Sequence, residues 1–452
     1  MDNIDLLLAL DKPIPRYTSY PTAPVWGSIA PEQYAKALSK ISGSIALYFH
    51  IPFCKSMCLF CGCSVVLNRN PDTEERYVDY LIKEIELAVE HIGKKQVRQL
   101  HFGGGTPTKL SCELLCKLMG AIRRNFTFAH DAEIAIEIDP RTVFEDRGEK
   151  LHLLKELGFN RVSFGVQDTN EKVQEAVRRR QSYGVTKYTY DLARMLEFKG
   201  ISLDLIYGLP YQTLDTFQDT IAKIIDLRPD RLSLFSYAKI PWMKPHQKAI
   251  KDETLPTTEV KFQIYLMARR ALVESGYKAI GMDHFALADD DMAKAYEQKR
   301  LQRNFQGYTV LDVDDLVSFG VTSIGYCQNG YFQNVKELDT YYKLLDEGTL
   351  PVFRGKLLHD DDLLRRWVVQ RLMCDFRLDK AQFAEKFNQS FDVYFAKERQ
   401  GLLSLIELGL VSDDSQTVAA TSLGELFIRN ITACFDWYLA QSESHKSFSR
   451  AI

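Results

Sequence analysis

Four of the nine cysteines lie in one short stretch, Cys54, Cys58, Cys61 and Cys63, with the spacing C-x3-C-x2-C-x-C. Thiolates this dense can wrap one compact centre, and iron–sulfur clusters are held by cysteine thiolates. A structural zinc site usually adds a second ligand pair about a dozen residues or more away, and none follows here. Free surface thiols this close together would be an oxidation liability. The loop therefore reads as an iron–sulfur ligand set. If only three of the four bind a cubane, one iron is left for a small molecule to chelate. Two further features carry chemistry. Gly103-Gly104-Gly105 lets backbone groups approach a ligand closely, although a tight turn explains it equally well. Asp204, between Leu203 and Leu205, is an acid that is costly to bury without a partner, which a ribose hydroxyl pair or Arg179 could supply.

These residues need elements to place them, and from residue 44 onward the pattern alternates strand and helix. Strand-like runs are Ile45–Ile51, Val97–Phe102, Ala132–Ile138, Asn160–Val166, Ile201–Tyr207 and Arg231–Tyr237. Helical periodicity fills the gaps, at Glu74–His91, Glu113–Arg124, Glu149–Leu157, Asn170–Arg178, Thr186–Phe198 and Thr216–Leu227. Repeated βα units predict a parallel sheet, and their short, regular spacing favours a barrel or partial barrel. The strands alternate: Ile134, Ile136 and Ile138 share one face, and Glu133, Ala135 and Glu137 the other. Val162, Phe164 and Val166 likewise alternate with Ser163, Gly165 and Gln167. A parallel sheet covered on both faces reads as continuous aliphatics. A polar second face predicts an open lumen that holds a ligand; a flavodoxin-like sheet with polar strand ends is the alternative.

The chain has 452 residues, too many for one ordinary domain of roughly 100–200. Three segments are expected: an N-terminal arm over 1–43, the α/β partial barrel with a substrate-covering segment over 44–345, and a mainly helical domain over 346–452. Within the middle segment, Thr258–Glu274 reads as a helix and Tyr277–Met282 as a seventh strand. The last segment orders its elements as helix, short hairpin, helix, like a small winged-helix unit. Apolar residues make up 46%, enough for a large core, and the net charge of −3 gives no sign of nucleic-acid binding. The run Leu6–Leu10 follows two acids and no basic segment, so it does not read as a signal peptide. No stretch of about 18 apolar residues occurs. A cytoplasmic chain with reduced cysteines is expected.

The loop resembles the radical S-adenosylmethionine signature, with an aromatic, Phe60, before its third cysteine. The resemblance extends to the oxygen-independent coproporphyrinogen III oxidase family. It is carried by Pro15-Arg16-Tyr17-Thr18-Ser19-Tyr20-Pro21-Thr22, His50-Ile51-Pro52-Phe53-Cys54, Cys61-Gly62-Cys63 and Phe102-Gly103-Gly104-Gly105-Thr106-Pro107-Thr108. Gly165-Val166-Gln167-Asp168, Asp204-Leu205-Ile206-Tyr207-Gly208-Leu209-Pro210, Gly281-Met282-Asp283-His284-Phe285, Arg303-Asn304-Phe305-Gln306-Gly307-Tyr308-Thr309 and Phe448-Ser449-Arg450 add to it. Nearly the whole chain is covered.

The resemblance implies that Cys54, Cys58 and Cys61 ligate one 4Fe–4S cluster, whose fourth iron is chelated by S-adenosylmethionine. Cleavage of its sulfonium would give methionine and a 5′-deoxyadenosyl radical. Cys63 is similar to the family's extra cysteine, a candidate functional residue that is not a cluster ligand. Two S-adenosylmethionine molecules are implied, matching two propionates per substrate. Tyr48, Gly104, Glu137 and Ile324 belong to the first molecule by resemblance, and Gly105 and Thr106 to the second. Phe60, Gln167, Arg179, Asp204 and Ala238 carry over to the same two sites. The implied substrate is coproporphyrinogen III, whose propionates Arg16 and Arg303 are candidates to meet. A low-potential electron donor, an electron acceptor and a monomeric chain complete the expectation. Two alternatives share the core, a heme-opening methyltransferase and a non-catalytic heme chaperone. The N-terminal arm and Cys63 speak against both.

Overall fold

The computed structural model describes residues 9–310, 313–441 and 448–450. The amino-terminal run up to Leu8 lies outside them. Six strands follow one another in parallel: β1 Ile45–Ile51, β2 Gln96–Gly104, β3 Thr127–Ile138, β4 Arg161–Gln167, β5 Gly200–Tyr207 and β6 Arg231–Ser236. Their alternation has the predicted consequence. Ile134, Ile136, Phe164, Leu203 and Leu205 are buried in the main core, while Ala135, Glu137, Ser163, Gly165 and Asp204 line a cavity on the other face.

The sheet does not stop at six strands. Two further strands on one flank, β7 Tyr277–Ile280 and β8 His284–Leu287, form a hairpin, and its strand β8 pairs antiparallel with β6. The run expected to reach Met282 ends at Ile280, because Gly281 turns the chain at φ +58. On the other flank β9 Asp315–Phe319 pairs parallel to β1 and is a seventh parallel strand. It is followed by antiparallel β10 Ile324–Cys327, β11 Gly330–Asn334 and β12 Val352–Leu357. With the short strand Gly27–Ser28 on β12, the sheet has 13 strands.

Both expected segment limits are crossed by hydrogen bonds. The arm contributes Gly27–Ser28 to the main sheet, and β12, beyond residue 345, belongs to the same sheet. The chain makes this last return before it enters helices Asp360–Asp375, Lys380–Phe387 and Ala396–Glu407 and a small sheet of Arg377–Asp379, Val411–Asp413 and Thr417–Ala420. No helix of the described residues is long and apolar enough to cross a membrane.

Candidate active site

The cysteine loop leaves the C-terminal end of β1 and is held from three directions. The amides of Gly105 and Thr106 donate to the carbonyls of Ile51 (2.8 Å) and Phe53 (2.9 Å), so the glycine turn after β2 packs flat against the loop stem. A Cβ on Gly105 would lie 2.6 Å from the Pro52 carbonyl oxygen, and one on Gly104, at φ +117, would lie 2.7 Å from the His50 ring. Only glycine permits that approach. A strap at residues 244–247 grips the loop's outer carbonyls. Lys244 Nζ donates to Cys63 O (2.8 Å), Gln247 Nε2 donates to Phe60 O (3.0 Å), and His246 Nε2 lies 2.8 Å from Cys61 O. Leu59 N donates to Val177 O (2.9 Å) from a third side.

All nine cysteines are free thiols. Cys54 Sγ lies 3.5 Å from Thr106 Oγ1, Cys58 Sγ lies 3.6 Å from Arg179 Nη1, and Cys61 Sγ accepts from the Cys63 amide at 3.4 Å. The Cys61 thiol is drawn down to about 6, first by the hydrogen bond from the Cys63 thiol and further by Lys244 and His246. The thiolate is the form that binds metal. Among the described residues no three Cys, His, Asp or Glu side chains converge on a single ion. A cluster takes one thiolate per iron at separate corners, and the loop supplies thiols of that kind. The loop faces a cavity of about 1310 Å³. This exceeds the roughly 300–1,000 Å³ of ordinary ligand pockets. Arg179 Nε and the Tyr237 hydroxyl are buried in its wall without a partner, so polar groups stand ready for a ligand.

Glu137, near the end of β3, accepts from the Gly104 amide and lies 3.2 Å from His101 Nε2. Burial raises its pKa, but His101 and the Gly104 amide outweigh it, and the net shift is downward; Glu137 is a carboxylate. Asp204 on β5 accepts from Ser163 Oγ (3.2 Å) and is pushed up to about 6 by burial, against hydrogen bonds from Ser233 and Ser163. His50 sits 3.0 Å from the Ser64 carbonyl and 3.1 Å from the Tyr48 hydroxyl. A carbonyl only accepts, so Nε2 carries the proton and Nδ1 accepts from Tyr48.

The structure gathers every sequence-predicted site residue around this one cavity. Cys54, Cys58, Cys61 and Cys63 line it with Phe60; Tyr48, Gly104, Gly105, Thr106 and Glu137 come from the β1–β3 side. Gln167, Arg179, Asp204 and Ala238 come from the β4–β6 side, and Ile324 adds to the wall from β10. Gln167 follows a bulge and holds φ +69, a strained backbone of the kind that collects at functional sites. One expected pairing is corrected. Arg179 does not answer Asp204; it donates to the Gly165 carbonyl (2.6 Å) and to Asp139 (3.4 Å), because the turn after helix Glu171–Ala176 aims it at the cysteine loop. Its neighbours Arg178 and Arg180 are exposed. Arg16 and Arg303 both line the cavity, but each faces the buried carboxylate Asp283, Arg16 in direct contact and Arg303 at 4.0 Å.

Sequence reasoning missed three parts of the site. Asp139 is clamped by Arg141 (2.9 Å at Nε) and faces Arg179; burial opposes, yet the two arginines hold it down at about 2. The signal was an Asp-Pro pair at a strand end. The strap at 244–247 has no periodicity to reveal it. The floor arginines Arg161 and Arg231 were legible as cations that open strands, and lay unread.

A parallel partial barrel with a three-cysteine loop after its first strand defines a radical S-adenosylmethionine protein, and residues 48–224 match the Radical SAM superfamily model. Residues 358–427 match the HemN C-terminal domain. The chain is 41% identical over 457 residues to the oxygen-independent coproporphyrinogen III oxidase of Synechocystis sp., with 99% of this chain and 97% of that protein covered. It is 42% identical over 440 residues to the protein of that name from Escherichia coli K12, covering 97% and 96%. The solved structure of coproporphyrinogen III oxidase (HemN) from Escherichia coli, described as a radical SAM enzyme, superposes with a TM-score of 0.90 at 41% identity, covering 94% of this chain and 97% of that one. The chain belongs to the oxygen-independent coproporphyrinogen III oxidase family.

Proposed function

We propose that this chain converts two propionate side chains of coproporphyrinogen III to vinyl groups without oxygen, giving protoporphyrinogen IX for heme biosynthesis. The observation that carries the reading is end-to-end identity to oxidases of that name, together with a cysteine loop that opens onto one large polar cavity. For each propionate, one hydrogen atom, one carbon dioxide and one electron leave, and a carbon–carbon double bond remains. A 4Fe–4S cluster with S-adenosylmethionine supplies, when bound, the one-electron chemistry that abstracts the hydrogen atom.

The chain's own residues do the rest. Cys54, Cys58 and Cys61 are the cluster's ligands in this reading, and Cys63 stays free at the cavity wall. Gly104, Gly105 and Thr106 let the cofactor approach the chain closely at the cavity wall, and the ionised Glu137 would receive its cationic end. Asp204, Gln167 and Arg179 face the region for a second S-adenosylmethionine, and the cavity volume leaves room for more than one ligand. A low-potential donor would supply the electrons that such a cluster needs, and a separate acceptor would take up the electron each decarboxylation releases.

The test is anaerobic incubation of cluster-loaded protein with S-adenosylmethionine, a chemical reductant and an electron acceptor, and with coproporphyrinogen III or heme. Vinyl products from the first and none from the second support the proposal; opening or methylation of heme would replace it.

A further inference from the structure

Helix Pro71–Ile92 buries an apolar face formed by Tyr77, Val78, Leu81, Ile85 and Ala88, and Glu84 is set into that face at 2% exposure. Among the described residues no cation answers the carboxylate. Its partners are three neutral donors: the Gly320 amide at 2.7 Å, the Asn334 side-chain amide at 2.6 Å and the Tyr341 hydroxyl at 2.5 Å. They come from the end of β9, from β11 and from helix Leu338–Asp346.

The three donors surround the turn that joins β9 to β10. Its backbone enters the left-handed region twice, at Gly320 (φ +93) and Thr322 (φ +60). A β-branched residue keeps such a conformation only where its surroundings over-determine it. Here Asn334 Nδ2 donates to Gly320 O (2.9 Å), the Thr322 amide to Val335 O (2.9 Å), and the Val321 amide to the Tyr77 hydroxyl (3.1 Å). That hydroxyl in turn donates to the His50 carbonyl (2.7 Å), just before the cysteine loop. Gly320 has no room to yield, since a Cβ would lie 2.4 Å from the Tyr77 hydroxyl. Beyond the turn, Thr322, Ser323 and Ile324 form wall of the cofactor cavity.

We infer that Glu84 is a positioning residue for the cofactor: its ionised carboxylate holds the 320–323 turn, and with it the wall Thr322–Ile324, in the conformation that receives S-adenosylmethionine. The inference rests on the radical S-adenosylmethionine reading of the cavity. An ionised carboxylate accepts from all three donors. A protonated one must reverse the Tyr341 hydroxyl to place its own O–H, and it accepts from the Gly320 and Asn334 N–H groups only as a neutral acid, without the charge that strengthens both bonds. Burial, opposed by the three hydrogen bonds, lifts Glu84 to about 7. The clamp is therefore complete above that pH and loosened below it. The titratable groups packed around it are phenols: Tyr77 on its own helix, Tyr341, and Tyr34 on helix Pro31–Leu38. Burial pushes all three well above their usual value, so they stay neutral through this range.

The test is equilibrium dialysis of S-adenosylmethionine against anaerobic, cluster-loaded protein near pH 6 and near pH 8, with thermal unfolding as the check on folding. Wild-type affinity should fall roughly tenfold at the lower pH. Glu84→Gln should bind at the weak level at both values. Tyr341→Phe removes one donor from the carboxylate without touching the cavity, so it should move the wild-type midpoint to higher pH. Equal wild-type affinity at both values, or a pH dependence in Glu84→Gln as large as that of the wild type, overturns the inference, since Asp204 at about 6 contributes equally to both proteins. Should Glu84→Gln fail to fold, an unmoved midpoint in Tyr341→Phe overturns it instead. A wild-type protein that binds no S-adenosylmethionine at either pH contradicts the cofactor reading itself, and this inference with it.

Discussion

At the N-terminal end of the lumen, Glu133 on β3 meets Arg161 at 2.6 Å, and Arg161 also reaches Asp290 (3.3 Å) and Asp291 (3.0 Å). Arg231, the first residue of β6, holds Asp290 at 2.7 Å. Four residues further along β3, Glu137 meets a histidine and a backbone amide, and Asp204 on β5 meets serines. The two ends therefore treat their acids differently. Floor acids are neutralised by arginine and close the barrel. Nearer the cysteine loop, Asp139 is held by Arg141 and Arg179, but Glu137 and Asp204 are left on small donors, with capacity spare for a cationic or hydroxylated ligand.

Removing the ligand end should have the largest effect. Cys54→Ala, Cys58→Ala and Cys61→Ala should each lose the iron–sulfur absorbance and all turnover while the fold survives. Cys63→Ala should keep the cluster and alter or lose turnover. Equal cluster loss in all four variants would show the ligand assignment to be wrong.

The floor should respond in the opposite sense, with stability lost and cofactor binding kept. Arg161 is 6% exposed, and Arg161→Met would leave the half-buried Glu133 without its cation and the buried Asp290 with Arg231 alone. Breaking a buried pair from one side typically costs about 3–5 kcal/mol. Denaturant unfolding should show that loss, and the remaining folded protein should bind S-adenosylmethionine as the wild type does.

Asp204→Asn tests the ligand end without breaking a pair. Ionisation of Asp204 costs stability as pH rises from its ordinary 3.8 through about 6, since burial favours the neutral form. The Asn variant should thus match or exceed wild-type Tm above about pH 6, and the difference should vanish near pH 4. Binding of the second S-adenosylmethionine should weaken by about 1.5–3 kcal/mol, and a product with one vinyl group should accumulate. Unchanged activity and cofactor dependence would leave Asp204 as a structural acid. The smallest effect belongs to the surface: Arg180→Ala removes an exposed pair with Glu175 and should change stability by less than about 1 kcal/mol.

Much of this contrast could be read before the fold was known, and the reasons are local. Strand β1 was legible to the residue because an apolar run, interrupted only by His50, stops at Pro52. The polar lumen was legible because Ile134, Ile136 and Ile138 alternate with Glu133, Ala135 and Glu137. The flanking strands were not. Asp315–Phe319 is short and pairs with β1, about 270 residues earlier, which no nearby pattern encodes. The pairing of Asp204 with Arg179 failed for a related reason: proximity across a barrel depends on where a loop turns, and this one turns toward Asp139. Glu84 did carry a signal, a lone acid one heptad beyond Tyr77 on an apolar helical face, though its partners come from distant strands.

The proposed chemistry predicts a fixed ratio that few other measurements approach in directness. Cluster-loaded protein, given coproporphyrinogen III anaerobically with excess S-adenosylmethionine and an electron acceptor, should release about two 5′-deoxyadenosines for each protoporphyrinogen IX, since each propionate surrenders one hydrogen atom to one spent cofactor. A ratio near one with both vinyl groups formed would contradict the two-molecule account, and S-adenosylmethionine consumed with no vinyl product would contradict the function itself.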